Sequence, residues 1–368
     1  MKRFALFLYR LILWVSLPGY LLCALSTYLP STVCFFSDAL ALAYPFALGV
    51  LLLLLFFSLF RKRKRALLIA LVILAGYRNL GNTIAFHPFA GRHTADSSAI
   101  KVLSWNVFFF LNDHSKAHDT AGSGLRKMVD LIRRSDADVL CFQEYHTING
   151  SPHMISMDHI LDSMGYRYKL FSGDEINKHW AGGIAHHGTM LLSRLPLTDS
   201  GRIFMGNEHA VWVDLQFRGK PLRIYTAHLS SLGLYADTAA QHANENVYEI
   251  TYERKGSVAR KIKHIALRHE EEAVILDSAF RASDKPLIFC ADMNAVPTTY
   301  TYRKVRGNLQ DAFLSAGFGL GQTYYGLSPT LRIDVCFADR RLKVSSCAVK
   351  AEHLSDHFPV LSSFRWKE

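Results

Sequence analysis

The sequence predicts an α/β domain standing behind an N-terminal membrane segment. Three observations carry this. Two long uncharged apolar runs lie within the first sixty residues. Charge is divided unevenly: residues 1–80 hold nine Lys/Arg against one acid, Asp38, and supply +8 of the net +11. Beyond them, short apolar strand-like runs alternate irregularly with amphipathic helical patterns.

The chain has 368 residues, enough for one large domain and an appendage. Half of it is hydrophobic, which excludes a disordered chain. Six cysteines in this length exclude a disulfide scaffold; Cys141, Cys290, Cys336 and Cys347 do not settle the compartment, and three of them sit in apolar strand-like runs as core. The 288 residues after position 80 carry 33 basic and 30 acidic side chains, net +3, a weak footprint for nucleic acid. All seventeen histidines follow residue 86.

Residues 11–29 form the first apolar run and residues 39–60 the second, each near the roughly 20 residues that span a bilayer core. Pro18 and Pro45 are tolerable in membrane helices. A signal peptide is the alternative for the first run, but no small-x-small cleavage site is evident. A third run reaches membrane length only if it extends over residues 66–86, with Arg78 snorkelling; a re-entrant or surface helix competes. The RKRKR block at 61–65 should stay inside, and the loop at 30–38 has no Lys or Arg. Three spans put the remainder of the chain on the outer side, periplasmic or extracellular; two keep it in the cytoplasm. The division expected is 1–90 as membrane segment, 91–97 as linker and 98–368 as the soluble domain.

Strands are expected at 100–107, 139–143, 188–192, 211–217, 222–228, 287–290, 333–337 and 359–364, and helices at 124–134 and 258–281. Residues 231–257 are polar and read as an excursion. Two stacked sheets covered by helices suit this irregular alternation better than a doubly wound sheet.

Polar residues close these strands: SWN at 104–106, QE at 143–144, AHL at 227–229, ADMN at 291–294, RID at 332–334 and SDHFP at 355–359. One such ending is ordinary. Six together, rich in carboxylates, amides and histidines, suit a hard divalent cation such as Mg²⁺ or Mn²⁺. Structural zinc is not indicated, since no Cys/His pair has finger spacing.

In this order the motifs resemble the endonuclease/exonuclease/phosphatase superfamily, over about residues 98–368. HGTMLLSRLPL at 187–197 resembles a strand-and-turn segment of the same family. The resemblance implies a four-layer α/β/β/α sandwich of the deoxyribonuclease I-like type, with the site at one end of both sheets. Carried over, Asn106 and Glu144 hold the metal region, Glu144 being the principal ligand, and Asp356 sits at or near the metal. Asp292 orients or deprotonates the attacking water, and Asn294 binds phosphate. His357 contacts the phosphoryl group, oriented by Asp334, and His228 is a second phosphate or leaving-group contact. Ala291 replaces the family's usual Gly, which implies strain if the backbone there has positive φ.

The physics of ester hydrolysis fits these roles. An anion must be stabilised while hydroxide is generated near neutral pH. A carboxylate near a cation keeps a low pKa, and a His paired with Asp is fixed in tautomer. The expected function is therefore a membrane-anchored, divalent-metal-dependent phosphoesterase acting on phosphodiesters or phosphomonoesters. Its partners are the lipid bilayer and a phosphate-ester substrate, nucleic acid or lipid head group; no obligate protein partner is inferred. The alternatives are a non-catalytic membrane-bound binding module of the same fold and a nucleic-acid-binding regulator. Residues 331–335 lack the WCDR-type run of inositol polyphosphate 5-phosphatases. ADMNAVP lacks the His of repair nucleases and is nearer the GDxNxxP of sphingomyelinase-like and secreted nuclease-like members. Arg303, Lys304 and Arg306 could contact phosphate or form a solvated helix face.

Overall fold

The computed structural model describes residues 2–60, 62–88, 98–110, 123–149, 157–180, 183–206, 208–231, 258–326 and 328–367. The expected linker at 91–97, and most of the expected excursion (232–257), lie outside the described residues.

Four helices open the chain: α1 (Lys2–Ser26), α2 (Ser37–Leu59), α3 (Arg63–Ala75) and α4 (Tyr77–Thr83). The first two are long and apolar enough to cross a membrane; α3 and α4 make a third such stretch only if the 66° bend between them lies within one span. The three long helices form an antiparallel bundle. At one end Tyr9 and Ser58 share a hydroxyl hydrogen bond of 2.7 Å. Further along, Tyr20 meets Tyr44 at 3.1 Å and donates to the Ile73 carbonyl at 2.9 Å. At the far end Thr27 Oγ1 lies 2.9 Å from Asn79 Oδ1, and the Asn79 amide donates to the Ala24 carbonyl at 3.0 Å. The chain therefore leaves α4 at the level of the α1–α2 loop, opposite the RKRKR block.

The third run departs from the expectation of one helix over 66–86. It breaks at Gly76, where an added Cβ would run into the Tyr20 hydroxyl. It then ends at Thr83, and Ala85–Phe86 form β1. Hydropathy alone does not register a break within an apolar run.

The domain continues through β2 (Ile100–Asn106), α5 (Ser123–Ser135), β3 (Val139–Asn149), α6 (Met157–Ser163), β4 (Tyr168–Phe171), β5 (Glu175–Trp180), β6 (Gly183–Ser193), β7 (Leu197–Phe204), β8 (His209–Phe217) and β9 (Lys220–His228). After α7 (Val258–Ala282) come β10 (Leu287–Asp292), α8 (Tyr300–Arg306), β11 (Gln310–Asp311), α9 (Ala312–Ala316), β12 (Phe318–Gly319), β13 (Asp334–Ala338), β14 (Leu342–Val349) and β15 (Val360–Trp366). One sheet has the order β14-β15-β2-β3-β6-β4, with β5 also on β6; the other runs β11-β13-β10-β9-β8-β7. β1 pairs β12 and so ties the end of the helical unit to the domain.

Alternation of side chains along each strand builds the layers. Val102, Cys141, Leu191, Ile224, Ile288 and Cys336 fill the space between the sheets. Met128, Ile132 and Leu161 of α5 and α6 cover one outer face against Leu140 and Phe142. Leu276 and Tyr302 of α7 and α8 cover the other against Tyr225, Phe289 and Phe337. The result is the four-layer α/β/β/α sandwich. All eight expected strand runs and both expected helices lie within observed elements or overlap them closely. The strands not foreseen are polar or marginal, as in β7, whose residues are largely exposed at the sheet edge.

Candidate active site

The site forms where strand ends from both sheets meet. β9 and β10 are parallel and in register, so His228 lies opposite Asp292. β13 runs antiparallel to β10 and places Asp334 opposite the same Asp292. β2 and β3 are parallel, and Asn106 pairs with Gln143. A register shift between Phe142 and Tyr145 then re-aims Glu144, which sits at φ 49°. Gln143 donates to Thr226 Oγ1 of the other sheet at 2.9 Å, a buried bond that pins the two sheets together beneath the site.

Asp292 is the hub. Its Oδ1 accepts from the Asn294 backbone N–H at 2.9 Å and its Oδ2 from Asn106 Nδ2 at 3.0 Å. His357 Nε2 lies 3.6 Å and His228 Nε2 3.8 Å from the same Oδ2. His357 Nδ1 sits 2.8 Å from Asp334 Oδ2, and Thr323 Oγ1 accepts from the Asp334 N–H at 3.0 Å. Glu144 Oε1 accepts from Asn106 Nδ2 at 3.0 Å and lies 3.7 Å from His228 Nε2. The Ser355 hydroxyl donates to the Asn106 carbonyl at 2.8 Å, and Asp356 Oδ1 lies 3.1 Å from the same oxygen.

Charge in this buried cluster is shared between carboxylates and imidazoles. Burial opposes a charged His357, but Asp334 and Asp292 outweigh it and lift the ring to about 10. Burial likewise opposes a charged His228, and Glu208, 3.0 Å from Nδ1, outweighs it. Burial pushes Glu144 up to about 7; His228 pulls against this and Asp356 adds to it. Asp292 goes the other way, because His357 and His228 overcome its burial and hold it below the usual carboxylate range.

The donor set fits a hard divalent cation. Atoms of Asp292, Asp334 and His357 lie within 4.8 Å of one another, and with His357 charged it is the two carboxylates that offer lone pairs to a cation. Asp334 Oδ1 is buried without a hydrogen-bond partner among the described residues. Glu144 lies beside this group, sharing the Asn106 amide with Asp292, and adds a further carboxylate to it.

All eight residues singled out from sequence converge here, with three refinements. Asn106 presents its amide N–H groups to the carboxylates, while its Oδ1 accepts from the Phe108 N–H at 3.1 Å, so it fixes the carboxylates rather than offering an oxygen. Asn294 Nδ2 is engaged by the Leu229 carbonyl at 2.9 Å and His228 Nε2 at 3.2 Å. Ala291 lies in regular β10, paired with Val335 and Ala227 and outside the positive-φ positions, so the strain expected of it does not arise. Arg303, Lys304 and Arg306 lie on a partly solvated face of α8 and bond the Thr27 carbonyl, Asp277 and Asn82. Sequence reading missed Glu208 and Thr323. Both lie in turns without a motif, and no local signal marks them.

The domain is thus a two-sheet α/β/β/α sandwich with a buried carboxylate–histidine centre at its strand ends. Residues 103–357 match the sequence profile of the Endonuclease/Exonuclease/phosphatase family, and the chain belongs to that family. It is a hydrolase of phosphate esters. Residues 4–83 match a second profile, described as a domain of unknown function. Among curated proteins none matches the chain. Solved structures share the fold. An endonuclease/exonuclease/phosphatase from Beutenbergia cavernae aligns with TM-score 0.51 at 18% identity, over 73% of this chain and 72% of that one. The catalytic domain of human Nocturnin, with bound sulfate, aligns with TM-score 0.51 at 17% identity, over 73% and 95%. A family protein from Bacteroides thetaiotaomicron aligns with TM-score 0.50 at 15% identity, over 73% and 98%.

Proposed function

We propose that the chain is a membrane-anchored, divalent-cation-dependent phosphoesterase, with residues 1–83 as the membrane unit and 98–367 as the catalytic domain. The convergence of Glu144, Asp292, Asp334, His228 and His357 at the ends of both sheets carries this reading. Glu144 is the principal oxygen donor that would hold the cation, with Asp356 beside it and Asn106 locking the carboxylates from behind. Bound there, a divalent cation supplies Lewis-acid stabilisation of phosphoryl charge and a more acidic water.

The chain's own residues do the remainder. Asp292 stays ionised and holds the attacking water by its carboxylate. His357, charged and fixed by Asp334, donates a hydrogen bond to a phosphoryl oxygen. His228, held by Glu208, faces the phosphate or the leaving oxygen from the other sheet. Asn294 anchors the loop that follows Asp292, its amide held between the Leu229 carbonyl and His228.

The side of the membrane follows from charge. The basic block at 61–65 belongs inside, and the domain packs on the opposite end of the bundle, so we place it outside. Hydrolysis of a chromogenic phosphodiester by the full chain with Mn²⁺ tests the chemistry. Activity abolished by chelation and by Asp292→Ala is expected. An unchanged rate in Asp292→Ala overturns the assignment of the site.

A further inference from the structure

We propose that the substrate is an amphiphile anchored in the bilayer, carrying its phosphate ester in the head-group layer, and that the helical unit holds the active site at that depth. This deepens the phosphoesterase reading and rests on it.

The loops that carry the site are the loops that touch the helices. Val296, two residues after Asn294, packs on Ala41 of α2 together with Leu331 and Ile333, and Ile333 directly precedes Asp334. Two residues span at most about 7 Å. Ala41 is the fifth residue of α2, hence roughly 6 Å below the helix start at about 1.5 Å per residue. The head-group layer extends only about 5–7 Å beyond the hydrocarbon core on each side. With α2 entering the hydrocarbon core within its first turns, the loops that flank Asp292 and Asp334 lie at the level of the head groups.

The domain is docked there rather than swinging on a linker. Thr27 donates to the Thr298 carbonyl, and Arg303 to the Thr27 carbonyl at 3.0 Å. Arg332 donates to the Asn82 carbonyl at 2.8 Å, and Glu270 accepts from the Thr32 N–H at 2.8 Å. The crevice left between α2 and the domain, walled by Ala41, Pro45, Val296 and Arg332, has a volume of about 10 Å³, room for about one water. The rim continues into apolar surface suited to an interface. The Phe86 and Phe318 rings pair at 5.9 Å across β1 and β12, yet are 77% and 57% exposed. Val33 and Phe36 are exposed on the loop between α1 and α2. Aromatic side chains concentrate at this level of membrane proteins. A nucleic acid would need a basic track, but Arg303, Arg306 and Arg332 are all bonded to the helical unit.

The test uses the full chain reconstituted into vesicles of phosphatidylethanolamine, phosphatidylglycerol and phosphatidic acid in equal parts, with Mn²⁺. Parallel arms contain bis-p-nitrophenyl phosphate, glycerol 3-phosphate and plasmid DNA, and Asp292→Ala is run in each. Vesicle-lipid hydrolysis with kcat/KM about 100-fold above any soluble arm is expected, since both reactants share one surface. Hydrolysis of a soluble arm with vesicle lipid left intact overturns the inference and leaves the phosphoesterase reading standing. Silence in every arm overturns both. In the double variant Phe86→Ser/Phe318→Ser, vesicle hydrolysis should fall about tenfold with the soluble rate unchanged. An equal fall in both arms removes the aromatic rim from the argument.

Discussion

Thr298 donates its hydroxyl to the Ala41 carbonyl at 2.9 Å, in the turn where Pro45 removes the helix's own donor. A helical carbonyl at position i is normally satisfied by the N–H of i+4, and proline has none. Left alone, the Ala41 carbonyl is a buried acceptor without a donor, which is costly. The catalytic domain supplies the missing donor from the loop that follows Asp292. A helix irregularity in the membrane unit is thereby converted into a specific contact with the loop that carries the site.

This makes Thr298→Val costly by about 1–3 kcal/mol, the desolvation of an acceptor left without a partner. Pro45→Ala restores the helical donor. The cost of Thr298→Val in that background should then fall by at least half. Thermal unfolding of the four proteins of this cycle, in one detergent, measures it. Equal costs in both backgrounds would show that the hydroxyl acts elsewhere.

Asp334 reaches His357 at 2.8 Å and is buried with it. Asp334→Asn keeps the size of the side chain and removes the charge that orients and charges the ring. A loss of about 10²–10⁴ in kcat is expected, the range for an oriented acid or electrostatic donor. KM for a soluble ester should change much less. A variant with its folded state intact by circular dichroism and its kcat within a factor of two of wild type would remove His357 from the mechanism.

The candidate site was legible because of where its residues fall. Asn106, Glu144, His228 and Asp292 each end or follow an apolar run, and parallel or in-register pairing brings such ends together. Glu208 and Thr323 act from turns, where no periodicity marks them. The docking of the helical unit was not legible at all. It rests on pairs such as Thr27 with Thr298 and Asn82 with Arg306, separated by more than two hundred residues. The bend at Gly76 was missed for a related reason. The Tyr20 ring of another helix packs against Gly76 where a Cβ would not fit.

Ala291 gives a prediction that runs against the family pattern. The residue sits in β10 between Ala227 and Val335 with ordinary strand geometry. It is fully buried and packs in the core under α7 and α8. Ala291→Gly should therefore yield no gain in rate. It should lower stability by roughly 0.5–1 kcal/mol through the freedom given to the unfolded chain. A several-fold rise in kcat with Gly would mean that the Ala methyl constrains Asp292 after all.

The junction also has a titrating contact. His269 of α7 lies 3.5 Å from Asp38 at the start of α2, and its Nε2 sits 2.6 Å from the Ser230 carbonyl. Glu272, which accepts from the Ser230 hydroxyl at 2.6 Å, is the other charged group acting on the ring. Burial opposes the charged imidazole, but Asp38 outweighs it and raises His269 above its ordinary value. A group whose pKa is raised by folding stabilises the folded state fully below its unfolded value, here about 6.5. The contribution is lost as pH rises through the raised value. Wild type should therefore exceed His269→Gln in thermal stability by most near pH 5, and the gap should close on the alkaline side. Gln retains a donor for the Ser230 carbonyl, so the difference isolates the charge. A gap that stays constant from about pH 5 to about pH 9 would mean that folding does not shift the His269 pKa, and a gap that grows on the alkaline side would mean that the ring is held neutral.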